Sequence, residues 1–259
     1  MKILKVWLKY TNNSFQQTLA DKVAVSLLLS GKFFRIITFV IFLNFLFSGS
    51  RNLAGYSREQ IIFFYLTFVL IDGLAQFLFR ESYRFRELVV TGNLDMVLVK
   101  PIHPIIRVLF GGMDVLDLFV NCFILAVILY FGISQLHPTL GQWILYFLFI
   151  FNSLIIAASL HIFLLGFCII TLSIDHLVMI YRDLTSMLRI PVNLYIDPIR
   201  IFLTFIVPVG IMLTFPAQAL LGLISTRTVF LCFAFSIFYL FLSLKFWNYS
   251  LKKYQSASS

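Results

Sequence analysis

Six long stretches of apolar residues alternate with shorter polar segments along this chain of 259 residues. An α-helix needs about 20 predominantly apolar residues to cross the hydrocarbon core of a bilayer, and most of these stretches approach or exceed that length. The pattern therefore predicts an all-α integral membrane protein with six transmembrane helices. The predicted spans cover residues 33–47, 61–79, 115–136 and 143–172, a fifth stretch that begins near 199 and is interrupted by prolines, and 229–246.

The first thirty residues follow a different pattern. Lys2, Lys5 and Lys9 recur at i, i+3 and i+7, whereas apolar residues such as Trp7 fall largely on other faces. This spacing predicts an amphipathic helix that lies on the cytoplasmic face of the membrane within residues 1–30. A frayed basic terminus is the alternative interpretation.

Residues 80–110 form a polar island between the second and third predicted spans. Residues 81–91 suit a helix, with Arg84 and Glu87 at i and i+3, and Gly92 follows as a strong stop signal. A loop that mixes charged with apolar residues and ends at a defined stop is typical of a docking helix. An amphipathic helix that rests on lipid is the alternative.

Composition and charge agree with a membrane protein. Apolar residues make up 61% of the chain, charged residues make up 12%, and the mean hydropathy is +0.97, which leaves too little polar surface for a soluble globule. The net charge of +9 comes from Lys and Arg at the ends of apolar stretches, so we predict no nucleic-acid partner. With the N-terminus inside, seventeen basic residues lie on the cytoplasmic side, against Arg51, Arg58 and Arg227 outside. The positive-inside rule then predicts an N-in, C-in topology.

Asp72 lies in the middle of the second predicted span, one helical turn before Gln76. A carboxylate at that depth costs about 2.5–3.5 kcal/mol on insertion scales, so it must face the bundle, pair with another group or be protonated. Two interpretations stay open. Asp72 and Gln76 line a path for substrate or protons, or they form a polar clasp between helices with Asn44, His161 or a backbone carbonyl.

The sequence contains no pattern that is typical of a catalytic or cofactor site. The three cysteines form no CxxC pair, the four histidines have no metal-ligand spacing, and no phosphate-binding loop of the form G-x-x-x-x-G-K-S/T occurs. We therefore predict that the chain is not an enzyme and holds neither a metal nor another cofactor. No Gly/Ser-rich or Pro-rich linker divides the chain, so residues 1–259 are predicted to form a single transmembrane domain.

An ordered series of short motifs runs through nearly the whole chain. The motifs are G-Y-S-R-E-Q at 55–60, D-G-L-A at 72–75, F-R-E at 85–87, G-N-L-D at 92–95, K-P-I-H-P at 100–104, D-V-L-D-L at 114–118, R-I-P at 189–191, I-D-P at 196–198, F-I-V-P at 205–208 and F-P-A-Q-A-L-L-G at 215–222. In this order and topology they make the chain resemble the membrane subunits of the bacterial type-2 ABC (ATP-binding cassette) export permease family.

The resemblance implies a permease in the bacterial plasma membrane that pairs with itself or with a sister permease above two cytoplasmic ATPase subunits, which bind the ATP. It also implies a coupling helix, which matches residues 81–91, and a re-entrant segment between the fifth and sixth spans. From their positions, the candidate residues for ATPase coupling are Arg84, Phe85, Arg86, Glu87, Leu88 and Asp95, and those for the re-entrant segment and its hinges are Pro208, Gly210, Pro216 and Gly222.

The sequence thus predicts the permease subunit of an ABC transporter that exports a hydrophobic or amphipathic solute. An ion-coupled secondary transporter or channel, with Asp72 as its titrating group, is the alternative function. A membrane-embedded enzyme is a third hypothesis, which the absence of a catalytic constellation weakens.

Overall fold

A computed structural model describes residues 2–49, 52–53, 55–101, 103–171 and 175–255. Over these ranges the secondary structure is helical, without a β-strand, and the predicted all-α fold is confirmed. The α-helices, in chain order, are α1 (Lys2–Ala20), α2 (Lys22–Leu46), α3 (Arg58–Phe79), α4 (Phe85–Val90), α5 (Asn93–Leu98), α6 (Pro104–Phe110), α7 (Val115–Phe131), α8 (Leu140–Thr171), α9 (Asp175–Met187), α10 (Asp197–Ile201), α11 (Val209–Leu213), α12 (Phe215–Leu220) and α13 (Thr226–Lys252).

Five helical stretches within the described ranges are long and apolar enough to cross a membrane. They are Lys22–Leu46, Arg58–Val90, Val115–Leu136, Leu140–Thr171 and Thr226–Lys252. Four of them contain the second, third, fourth and sixth predicted spans almost as the apolar pattern placed them. Helix α2, which contains the first predicted span, begins at Lys22, eleven residues before the predicted start of that span. It begins there because Asp21 caps its N-terminus by accepting a hydrogen bond from the Ala24 N–H.

The fifth predicted span does not form one membrane-length helix. Helix α10 continues as a π-helical turn, Phe202–Ile206, and the helix then stops at Pro208, which has no N–H to donate and adopts ψ 37°. Two short buried helices, α11 and α12, follow. The ten helical residues before the break rise only about 15 Å, half of the hydrocarbon thickness.

Helix α8 occupies the centre of the bundle, where it packs against α3, α11, α12 and α13. Its Tyr146 and Phe149 are fully buried, as is Trp247 of α13. The Ser153 hydroxyl donates a 2.6 Å hydrogen bond to the Met212 carbonyl and thereby ties α8 to α11. By contrast, Ile36 and Leu43 are the buried residues of the 25 in α2, so most of that helix faces outward.

Helix α9 and the turn after it run along α3, from the end of that helix towards its beginning. Tyr181 of α9 packs on His161, which contacts Phe79 at the end of α3. Farther on, the Asn193 side chain donates a 3.2 Å hydrogen bond to the hydroxyl of Tyr56, which precedes α3. The family resemblance also implies that residues 173–200 form a second cytoplasmic contact, and this stays a prediction. In the structure residues 181–193 extend from the level of Phe79 to that of Tyr56, at the two ends of α3; residues 172–174 lie outside the described ranges.

Helices α3 and α7 approach each other closely at Gly73. A Cβ atom at this position would overlap the side-chain oxygen of Asn121, and that amide has no hydrogen-bond partner within the described part of the chain. Small residues permit such close backbone approach between membrane helices. The glycine of the D-G-L-A motif therefore has a packing role that its sequence pattern did not indicate.

We predict that Gly73→Ala destabilises the protein by about 1–3 kcal/mol, because the added methyl group overpacks the α3–α7 contact. Thermal unfolding of the detergent-solubilised protein measures the effect. Adding Asn121→Ala should restore much of the lost stability, since the amide that it removes makes no hydrogen bond. Gly31→Ala is the matched control, because nothing lies within 4 Å of a Cβ there; equal destabilisation by both single changes would contradict the prediction.

Candidate functional site

Five charged side chains from three helices and an adjoining turn surround a cavity of about 170 Å³, which is hereafter called the arginine cavity. It lies between α2, α3 and α9, at the middle of the stretch that α9 follows along α3. Its volume accommodates about five water molecules, at roughly 30 Å³ each, or a single small polar group. The lining residues are Arg35, Tyr65, Phe68, Val69, Asp72, Arg182, Asp183, Thr185, Ser186 and Arg189.

Asp72 faces this cavity and accepts a 2.9 Å hydrogen bond from the Gln76 amide. The two residues that the sequence proposed as clasp partners bond elsewhere. Asn44 donates to the Val40 carbonyl of its own helix at 2.8 Å. The His161 ring lies 2.7 Å from its own helix's Ala157 carbonyl and 3.3 Å from the Tyr83 hydroxyl, so it is a satisfied core histidine. The placement of Asp72 beside a polar cavity agrees with a lining role.

The three arginines of the cavity have no close counter-charge. No carboxylate lies within 4.0 Å of Arg35, Arg182 or Arg189 among the residues for which the structure gives positions. The guanidinium of Arg189 lies 5.7 Å from the centre of the Phe39 ring, which is a cation–π distance. Ionisable residues among membrane helices are costly and by default indicate a functional path. Sequence reasoning missed Arg182 and Arg189 as site residues, because it counted them only among the basic residues of the cytoplasmic side.

A second group of charges is fully paired and holds the helices together near the start of α7. Lys32 of α2 forms an ion pair with Asp117 of α7. Arg80 lies 2.9 Å from the Asp114 carboxylate, which also caps α7 by accepting a hydrogen bond from the Leu116 N–H. Two more charged residues, Arg107 and Glu81, are paired at 2.8 Å. We call these three pairs the ionic clasp.

The predicted coupling helix forms in two pieces, a 3₁₀ turn over Arg80–Arg84 and then α4. Gly92 stops it with a left-handed φ of 72°, as its sequence indicated. Arg84, Arg86 and Glu87 are exposed, while Leu88 and Asp95 are half-buried.

Phe85 differs from these charged neighbours. Its side chain is fully buried and packs on Trp247 of α13, with 5.9 Å between ring centres. Phe85 thus anchors α4 to the bundle, whereas Arg84, Arg86 and Glu87 form an exposed face, hereafter the α4 charged face.

The four candidate hinge residues lie between α10 and α13, where Pro208, Gly210 and Pro216 are buried and Gly222 is exposed. Pro208 ends the π-helical turn, and Pro216 is in the first turn of α12. Gly210 packs so tightly that a Cβ would lie 2.9 Å from the Thr204 hydroxyl. Gly222 has a φ of 69°, which reverses the chain after α12 at low steric cost. Whether these residues move during function stays a prediction.

A comparison with protein-family models matches residues 33–258 to the family described as ABC-2 family transporter protein. The match covers most of the chain, and the chain therefore belongs to the ABC-2 transporter family, a family of membrane permeases. The resemblance inferred from the motifs is confirmed. No curated protein and no solved structure matches the chain.

We predict that Lys32→Met destabilises the protein by about 3 kcal/mol, because it leaves the Asp117 carboxylate buried without a counter-charge. The side chain of Asp117 is only 5% exposed, which makes rehydration of the carboxylate difficult. The double change Lys32→Met/Asp117→Leu should recover most of this loss, and thermal unfolding measures both. Lys22→Met, at an exposed position of the same helix, is the control. A double variant as unstable as the single one would contradict the ionic clasp.

Proposed function

We propose that this protein is the permease subunit of an ABC exporter in the bacterial plasma membrane. It forms the substrate path and is driven by a separate cytoplasmic ATPase that binds ATP. The observation that carries the proposal is the match of residues 33–258 to the ABC-2 family. The same match favours ATP-driven transport over the ion-coupled alternative centred on Asp72. The proposed partners are two ATPase subunits and a second permease, either another copy of this chain or a sister subunit.

The α4 charged face supports the position of the proposed ATPase contact. Its arginines and glutamate point away from the bundle, while the buried Phe85 ties the helix to Trp247 near the end of α13. A force applied to α4 would therefore be transmitted to α13 and, through α8, to the centre of the bundle. Leu88 and Asp95 lie beside this face as half-buried supports.

We further propose six membrane crossings, with both termini in the cytoplasm. Five come from the membrane-length helices. The ascending segment Asp175–Leu194, from α9 to the 3₁₀ turn after Pro191, provides the remaining crossing, since it connects the two ends of α3. The buried segment formed by α11 and α12 then re-enters the bundle before α13 begins.

Cysteine labelling in intact cells tests this topology. In a background without Cys122, Cys168 and Cys232, a membrane-impermeant maleimide should label Gly49→Cys, in the outer connection between α2 and α3. It should label Gln255→Cys only after the cells are permeabilised, because the C-terminus is inside. Labelling of both positions, or of neither, in intact cells would require an odd number of crossings.

Reversal of the α4 charged face tests the coupling. We predict that a tagged wild-type chain purified from its native membrane carries a P-loop ATPase in roughly stoichiometric amount. The triple variant Arg84→Glu/Arg86→Glu/Glu87→Arg should lose that ATPase and ATP-driven transport, yet insert normally, since all three side chains are exposed. Co-purification followed by mass spectrometry measures the association.

The control for this experiment is Arg58→Glu/Arg227→Glu, which reverses exposed charges at the starts of α3 and α13. We expect this variant to retain the ATPase, because both positions lie outside in the proposed topology. Normal ATPase binding by the triple variant would remove α4 as the docking site. A wild-type preparation without any ATPase, under conditions that preserve a known ABC complex, would overturn the proposed function itself.

A further inference from the structure

We propose that the arginine cavity is a binding site for an amphipathic anion, a molecule with one anionic headgroup on a hydrocarbon chain. The headgroup binds among Arg35, Arg182 and Arg189, and the hydrocarbon chain lies in an adjoining apolar cavity. This proposal names the substrate class of the proposed permease and rests on that function only in treating the site as part of the transport path.

The two cavities are neighbours, because three residues line both of them. The adjoining cavity has a volume of about 570 Å³, within the range of ligand sites, and is lined almost entirely by apolar surface from α2 and α3. Arg35, Tyr65 and Arg189 belong to both cavities. A polar cavity thus lies beside an apolar one, with two guanidinium groups at the boundary. This division matches a molecule that is charged at one end and apolar along the rest.

The charge of the arginine cavity selects the sign of the headgroup. Three guanidinium groups line it with two carboxylates, those of Asp72 and Asp183, so its formal charge is +1. The Asp72 carboxylate already accepts the Gln76 amide hydrogen bond, and no carboxylate lies within 4.0 Å of the arginines in the part of the chain described. A monoanionic headgroup neutralises the site. The guanidinium fork offers paired N–H donors that suit a carboxylate or a phosphate.

The apolar cavity supplies a surface of the right shape for a hydrocarbon chain. Phe34, Phe39 and Phe42 line it along α2, and the first and last of these are separated by eight residues, or about 12 Å of helix. Phe39 is held in place by Tyr65, with 4.3 Å between ring centres, and by the overlying Arg189. Phe34 and Phe42 are 73% and 50% exposed, so the cavity is open at the surface of the bundle. A chain can therefore enter sideways from the lipid.

Photo-crosslinking of the full-length protein in nanodiscs of zwitterionic lipid tests the site. The probe is dodecyl phosphate with a photoreactive diazirine in its hydrocarbon chain. We expect labelling of the α2 peptide that contains Phe34 and Phe42. Arg182→Gln/Arg189→Gln should reduce labelling about tenfold or more, because it removes charged hydrogen-bond donors, whereas the control Arg58→Gln should leave it unchanged.

Competition distinguishes the chemical features of the ligand. Unlabelled dodecyl phosphate and dodecanoate should both suppress labelling, whereas dodecyl trimethylammonium should not. Suppression by inorganic phosphate alone would show a site for free phosphate and overturn the amphipathic proposal. Equal suppression by the cationic amphiphile, or labelling that survives loss of the arginines, would reduce the site to an apolar groove and also overturn it. Probe labelling that appears only in dissociated, monomeric protein would assign the surface to the permease pair and overturn the proposal.

Two further arrangements keep the test decisive. If the glutamine variant fails to fold, the competition series on the wild-type protein decides alone, and Arg182→Lys/Arg189→Lys should fold and retain labelling because it keeps both charges. The crosslinking uses no ATPase, so its result is independent of co-purification. If an ATPase co-purifies but the probe does not label the site, only this proposal is overturned. If the probe labels the site specifically but no ATPase co-purifies, only the proposed exporter is overturned.

Discussion

Charged side chains that lie among apolar helices are the constraint on which the arrangement of this protein depends. Lipid cannot solvate them, so each must find a partner or water within the bundle. Lys32 meets this constraint by pairing with Asp117, which connects α2 to α7 although α2 buries little else. Ring contacts of Phe33 with Phe123 and of Phe39 with Tyr65 also hold α2 against α7 and α3. The Lys32–Asp117 pair of the ionic clasp adds a charged point of attachment for this largely exposed helix.

The arginine cavity is subject to the same constraint, but its charges are not satisfied by ion pairs. Asp72 and Asp183 line the same cavity, but within the described ranges no carboxylate lies within 4.0 Å of its guanidinium groups, so water or a ligand must complete their hydrogen bonds. Lys32 forms an ion pair with Asp117, whereas Arg35, one turn farther along α2, forms no ion pair with a described residue. The contrast between the two sites separates charges that build the fold from charges that are available for binding.

Apolar length was sufficient to predict the five membrane-length helices, because a backbone in lipid must satisfy its hydrogen bonds within a helix. The same reasoning did not predict that α9 lies beside the cavity next to α3. The apolar residues of α9 are interrupted by Arg182 and Asp183, as in a helix on a water surface, but these two exposed side chains line a cavity together with Asp72 of α3. Hydropathy cannot distinguish these environments. The buried Phe85 was not predicted for a related reason. The polar composition of its loop does not indicate that one aromatic ring anchors the loop to α13.

These two departures from the sequence prediction concern the same end of the bundle and have a joint consequence. Phe85 links α4 to Trp247 of α13, and Tyr181 of α9 packs on His161 of α8, which in turn packs on α13. A movement of α4 can therefore reach α9, the helix that carries Arg182, through three packed interfaces: α4 with α13, α13 with α8, and α8 with α9. Packed cores shift between discrete arrangements and do not deform continuously, so these interfaces can transmit a displacement of α4. The packing of α8 and α13 thus connects the proposed ATPase contact to the proposed binding site.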